Sequence, residues 1–199
     1  MPLLLNVWVG SFLNFIFAIM TFIFTHPQIS IAAIQDLTEL KNLLNSAYRG
    51  ESSLQGWTTE AHIISGDVRT DEGNMMEVMQ TSGSVFLKYT DDIGQIIGCV
   101  NLQLQHKKLY LGMFSVSPTK QGAGIGRQIL LAAEEYARYC NCDSIYMSVI
   151  SIRAELIDWY KRNGYAETGE RKFFEEDGLT GKHLQPLEFL MLSKQILSV

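Results

Sequence analysis

One segment narrows the fold of this chain more than any other. A strand-like run, Leu109 to Ser117, passes through Pro118 into the glycine-dense loop Gln121-Gly122-Ala123-Gly124-Ile125-Gly126-Arg127 and then into an amphipathic helix ending near Tyr139. Ile125, Ile129, Leu130, Ala133 and Ala137 recur at three- and four-residue spacing, which puts them on one helical face. The first turn of a helix carries unpaired N–H groups and a partial positive charge. Glycines at 122, 124 and 126 permit positive φ and close approach of a ligand to the backbone. Arg127 adds a formal charge beside this nest. The segment therefore predicts a ligand that carries phosphate.

The residues after the glycines exclude two common phosphate loops. A P-loop needs Gly-Lys-Ser/Thr, whereas Gly126 is followed by Arg127-Gln128, so no hydroxyl is placed for Mg²⁺. A dinucleotide fingerprint read from Gly124 needs a third glycine where Ile129 stands. The next strand ends Met147-Ser148-Val149-Ile150, without the acid that binds a ribose.

The flanking pattern describes a mixed α/β chain. Gln28 to Ile34 reads as a strand and is followed by a helix carrying Leu37, Leu40, Leu43, Leu44 and Ala47, which Gly50 should stop. A short helix is expected from Thr58 or Thr59 to Ile64, and another from Thr70-Asp71 with Met75, Met76 and Met79. Ser84–Thr90, Gln95–Leu104 and Leu109–Ser117 are strands joined by short polar turns, which favours an antiparallel meander. Strand Ser144–Ile150, helix Arg153–Arg162 and strands Tyr165–Phe174 and Pro186–Leu192 complete a mixed sheet with helices on both sides.

At 199 residues the chain has room for one ordinary domain. Its formal net charge of -5 provides no basic face for nucleic acid, and is compatible with a cationic partner. Three cysteines, Cys99, Cys140 and Cys142, form neither a disulfide framework nor a metal-ligand pattern, which points to a reducing, cytoplasmic compartment and no metal. Leu3 to Phe24 contains no charge, and as a helix would rise about 33 Å, enough to cross a hydrocarbon core of about 30 Å. Residues 1–25 thus hold either a membrane anchor, with the domain facing the cytoplasm, or a mis-assigned start with the true one at Met20; a cleaved signal peptide fits less well, since no Lys or Arg precedes the apolar run and no small-x-small site follows it. Residues 26–199 form the domain.

Val116-x-Pro118-x-x-Gln121-x-x-Gly124-x-Gly126 resembles the cofactor motif of the GNAT superfamily of N-acetyltransferases, V-x-P-x-x-[Q/R]-x-x-G-x-[G/A]. Tyr160-Lys161-Arg162-Asn163-Gly164-Tyr165 resembles that family's Y-x-x-x-G-[F/Y] segment, and the likeness spans roughly residues 28–194. The resemblance implies a twisted, mostly antiparallel sheet and acetyl-CoA as co-substrate, without metal. It implies that the strand at Phe114 and Val116 pairs with the pantetheine arm, and that a bulge aims the Phe114 N–H at the thioester carbonyl. Backbone amides from Gln121 through Gly122, Ala123, Gly124, Ile125 and Gly126 to Arg127 would hold the pyrophosphate. Tyr160 would protonate the leaving thiolate.

One part of the pattern is missing. An alkylamine is mostly protonated at neutral pH and must lose a proton before it attacks. Many members of that family use a carboxylate for this step, yet Leu109–Ser117 holds no Asp or Glu. Glu60 is the best substitute, with Glu188 behind it, and Tyr48 and Trp57 are candidates to line the acceptor pocket. The expectation is an enzyme that acetylates the amine of a small molecule or peptide. The competing expectation is a non-catalytic acyl-CoA sensor.

Overall fold

The computed structural model describes residues 22–197. Strand β1 (Ile29–Ile31) is shorter than Gln28–Ile34 because Ile34–Asp36 wind into a 3₁₀ turn, where the Asp36 carboxylate accepts the Ala33 N–H at 2.7 Å. Helix α1 (Leu37–Tyr48) buries Leu37, Leu40, Leu43, Leu44 and Ala47, the stripe its spacing predicts. It ends at Arg49, whose backbone turns extended at φ -130°, and not at the expected Gly50, which at φ +67° opens an unforeseen extra turn, α2 (Gly50–Ser53), in which the Ser53 hydroxyl donates to the Gly50 carbonyl. The helix expected from Thr58 to Ile64 is absent. Those residues form turns, with the Glu60 N–H donating to the Tyr48 carbonyl at 3.1 Å and the Glu60 side chain drawn inward to two arginines. The segment ends in β2 (Ile64–Ser65).

Helix α3 (Glu72–Gln80) starts where Asp71 accepts the Asn74 N–H, an N-cap of the expected kind, and buries Met75 while Met76 stays exposed. Strands β3 (Ser84–Thr90), β4 (Ile96–Gln105) and β5 (Lys108–Val116) form the predicted antiparallel meander. After them come α4 (Ile125–Tyr139), β6 (Ser144–Ile150), α5 (Ala154–Arg162), β7 (Ala166–Phe173), β8 (Lys182–His183) and β9 (Glu188–Gln195). Seven strands make one sheet in the order β1-β3-β4-β5-β6-β9-β7, while β2 and β8 pair separately. Every pairing in the large sheet is antiparallel except β5 with β6.

Helices cover both faces. Leu40, Leu43 and Leu44 of α1 and Met75 of α3 pack with Phe86, Ile96 and Cys99 on one face. Ile129, Leu130 and Ala133 of α4 and Ile157 of α5 pack with Leu87, Val100, Leu109 and Ile145 on the other. Burying each such Leu or Ile stabilises the fold by about 1.5–3 kcal/mol, so the two amphipathic helical stripes hold the sheet between them. The last residues of the apolar N-terminal run join this core. Phe24 is buried, Phe22 lies against the rings of Tyr136 and Tyr139, and the Thr25 N–H donates to Glu135 at 2.9 Å. The rest of the proposed anchor, residues 3–21, lies outside the described residues. Among the described residues no helix is long and apolar enough to cross a membrane.

One irregularity of the sheet positions the site. β5 and β6 pair only from Lys108–Ser144 to Tyr110–Tyr146, although β5 continues to Val116 and β6 to Ile150. Beyond Tyr110 the two parallel strands separate, which opens a cleft at their C-terminal ends, where open α/β sheets bind ligands.

Candidate active site

The cleft divides into two cavities. The larger, of about 620 Å³, lies between the end of β5, the start of α4 and helix α5. Phe114, Val116, Gln121, Gly122, Gly124, Ile125, Gly126 and Arg127 all line it. Ala123 is exposed at the crest of the loop and does not. Gly122 and Gly124 take φ of +84° and +83°, the left-handed region that glycine enters without strain, and a Cβ built on either would meet nothing within 4 Å. Gly124 is the N-cap of α4, so the 15-residue helix presents its first amides into this cavity. Ile125 turns its side chain into the core, leaving only its backbone for a ligand. Lys120 and Arg162 add two cations beside Arg127.

Gln121 holds the loop in place. Its Oε1 accepts the Trp57 N–H at 2.8 Å, and its Nε2 donates to the Thr58 hydroxyl at 2.7 Å and to the Val116 carbonyl at 3.1 Å. The amide side chain is thus spent on joining the loop to β5 and to residues 57–58. Trp57 lies at the mouth of this larger cavity, its ring 6.4 Å from that of Trp159, and is not part of the smaller one.

β5 carries the bulge that joins the two cavities. Cys99 pairs with Ser115 and Asn101 with Gly112, so Val100 faces both Met113 and Phe114. Met113 absorbs the extra residue at φ +44°, a left-handed conformation rare for a long side chain and typical of bulges beside functional sites. Tyr48 fixes the spot from α1, its hydroxyl donating to the Phe114 carbonyl. Ser115 Oγ, on the larger cavity, is buried and has no hydrogen-bond partner among the described residues.

Four residues, Tyr48, Phe114, Leu156 and Tyr160, line both cavities. Tyr160 comes from α5 and stands in an aromatic group, with its ring 6.3 Å from Phe114, 5.1 Å from Trp159 and 5.8 Å from Tyr165. Its hydroxyl hydrogen-bonds to no protein group among the described residues. Burial pushes its pKa well above the ordinary 10, with the neighbouring phenols of Tyr48 and Tyr165 adding to the effect. Burial likewise pushes Tyr48 up to about 12, with the Glu60 charge contributing.

The smaller cavity, of about 210 Å³, is walled by β5, β6, Phe174 and Phe189. Glu60 is its one carboxylate among the described residues, and Arg69 and Arg153 are its cations. Glu60 is committed at both oxygens, to Arg49 Nη1 at 2.5 Å and to Arg153 Nη1 at 3.1 Å. Arg49 is fully buried and also donates to the Thr180 carbonyl from Nε at 3.3 Å and Nη2 at 3.0 Å. This network ties α1, the start of α5 and the 177–183 loop around the cavity. Glu188 lines neither cavity and pairs with Arg171 on the far strands. The sequence offered no local signal for Arg69 or Arg153, because they come to one cavity only when distant segments close on one another. Among the described residues no group of three or more His, Cys, Asp or Glu is placed to hold a metal.

The profile of the acetyltransferase (GNAT) family matches residues 37–165. No curated protein matches the sequence. Among solved structures, the ribosomal-protein-S18-alanine N-acetyltransferase of Escherichia coli superposes with a TM-score of 0.63 at 14% identity, over 86% of this chain and 94% of that one. yncA from Salmonella typhimurium, with its cofactor acetyl-CoA, gives 0.62 at 19% identity over 86% and 94%. A GNAT-family acetyltransferase of Staphylococcus aureus Mu50 gives 0.60 at 18% over 85% and 98%. At these identities the likeness is one of fold.

Proposed function

We propose that this chain, which belongs to the acetyltransferase (GNAT) family, transfers the acetyl group of acetyl-CoA to a primary amine of a small molecule or peptide by direct attack in a ternary complex. The observation that carries this reading is the meeting of the two cavities at the bulged end of β5, under Tyr160. The residues of the larger cavity fit acetyl-CoA. The amides of Gly122 and of Gly124–Arg127 suit a pyrophosphate, the orphaned Ser115 hydroxyl and the unpaired edge of β5 suit the amides of a pantetheine arm, and the cavity has the volume of an ordinary cofactor site.

Acetyl-CoA, when bound, supplies an activated thioester: the amine nitrogen bonds to the acetyl carbon, the carbon–sulfur bond breaks and the amine proton finishes on sulfur. The chain's part is to place and polarise. The Phe114 N–H, turned by the bulge, is suited to meet negative charge on the carbonyl oxygen. Tyr160 is the donor to the leaving sulfur, and its raised pKa keeps it protonated across the physiological range. Glu60, the one carboxylate on the acceptor wall among the described residues, is the candidate to take the amine proton, which requires Arg153 to yield Oε1. Tyr48 holds the bulge and lines the acceptor side, while Trp57 guards the mouth of the cofactor cavity.

Initial velocities measured while acetyl-CoA and amine are both varied test the ternary complex. Intersecting reciprocal plots and no acetyl group left on the protein are expected. Parallel plots, with an acetylated enzyme seen by mass spectrometry, would contradict direct attack. A second reading, a non-catalytic acyl-CoA sensor, is favoured by one observation, that Glu60 has both oxygens engaged.

A further inference from the structure

Resting on the acetyl-transfer reading above, we propose that the acceptor is an amine bearing a free carboxylate, an amino acid of modest size, whose carboxylate is bound by Arg69 and Arg153.

The smaller cavity carries unbalanced positive charge. Glu60 is shared between Arg49 and Arg153, so one carboxylate stands against two guanidiniums. Arg69 adds a third, half-buried on the cavity wall and with no ion pair among the described residues. Asp177 feels this charge from the neighbouring loop, but its Oδ1 already accepts the Leu179 and Thr180 N–H groups and it lies outside the cavity wall. The Arg69 guanidinium lies 6.0 Å from the centre of the Tyr48 ring, which holds it at the junction where the acetyl group would arrive. Its backbone is fixed as well, because the Arg69 N–H donates to the Asn45 side chain at 2.7 Å. A guanidinium is a planar fork of donors matched to a carboxylate, and inside a cleft one without an ion pair is a standing cost until an anion arrives. The same field repels ammonium groups, so an acceptor with a second positive charge is disfavoured, while the reactive amine is favoured in its neutral, nucleophilic form.

The remaining walls describe the rest of the acceptor. Phe174 and Phe189 stack with ring centres 4.2 Å apart, and Leu111, Met147 and Val149 are apolar. Tyr110 and Ser148, hydrogen-bonded to each other at 2.9 Å, are the polar exception. A space of about 210 Å³ equals on the order of seven waters at about 30 Å³ each, which suits one amino acid with an apolar side chain.

The test is steady-state acetylation of three matched sets by wild type and Arg69→Gln: L-leucine, L-methionine and L-phenylalanine, their carboxamides, and the amines lacking the carboxyl group. Spermidine serves as the cationic acceptor. The free amino acids should exceed their carboxamides by about 100-fold in kcat/KM, although the carboxamide amines are at least as readily deprotonated. Arg69→Gln should raise KM for the amino acids roughly 10- to 100-fold with a smaller change in kcat, and leave the carboxamides almost unaffected. Arg69→Lys should recover part of the loss, and circular dichroism should show the variants folded. Equal use of acids and carboxamides, preference for spermidine, or an equal loss on both sets in Arg69→Gln would overturn the carboxylate assignment while leaving acetyl transfer standing. Binding of acetyl-CoA with no acetylation of any amine would overturn both.

Discussion

At the scale of single residues, Tyr160 is where the chemistry of this chain concentrates. Its ring is packed among Phe114, Trp159 and Tyr165, so removal of the hydroxyl alone leaves the aromatic group intact. Tyr160→Phe should therefore lower kcat by about 100-fold, within the usual range for a positioned acid, while acetyl-CoA affinity stays within about twofold. Stopped-flow turnover with calorimetric binding separates the two; unchanged kcat would remove Tyr160 from the reaction. The pH dependence has a definite sign. Burial raises the phenol, so the proton-donating form persists to higher pH than a free tyrosine allows. The kcat profile should show no fall from Tyr160 below pH 10, and a descending limb with a midpoint near 8 that disappears in Tyr160→Phe would contradict the upward shift of the phenol. Sequence alone placed Tyr160 through its motif. It named Glu60 as the best substitute for the missing carboxylate, but not the two arginines that hold it.

At the scale of elements, two structures carry the site: the turn into α4 and the ion network behind the acceptor cavity. Gly124 sits at φ +83° as the N-cap of α4, a conformation that costs an L-residue about 1–2 kcal/mol. Gly124→Ala should weaken acetyl-CoA binding by about tenfold or more and lower stability by that small amount, measured by calorimetry and thermal denaturation. Glu60→Gln leaves Arg49 and Arg153 without their shared counter-charge. Breaking a buried pair in this way costs about 3–5 kcal/mol, which should lower Tm by roughly 10 °C at this chain length. A loss of activity with Tm unchanged would instead assign Glu60 to chemistry alone. Legibility in the sequence divides along the same line. The meander, α4 and the glycine loop could be read because their signals are local: alternation, helical spacing, turn residues. The segment 50–65 was misread, because its turns are set by Glu60 reaching into the interior and by Gln121 gripping Trp57 and Thr58 from far along the chain. Periodicity holds no trace of such tertiary demands.

At the scale of the whole molecule, global and local charge point in opposite directions. A formal charge of -5 is compatible with a cationic partner, yet the acceptor cavity places Arg69 and Arg153 against a single carboxylate. The cavity field governs recognition, because buried charges are screened far less than those on the surface. Both cavities lie where β5 and β6 separate, so a ligand in the cleft touches β5, β6, β9 and the helices α1, α4 and α5. Acetyl-CoA at about 100 times its Kd should then stabilise the molecule by about 2.7 kcal/mol and raise Tm by roughly 5–10 °C in a single transition. A scan with no shift would exclude a preformed cofactor cavity. The most direct test of the central claim is release of the CoA thiol from acetyl-CoA, followed continuously with and without a panel of primary amines. Acetyl transfer predicts thiol release that depends on one class of amine and matches acetylated product one for one. Tight acetyl-CoA binding with no amine-dependent thiol release would contradict it, and leave a sensor in its place.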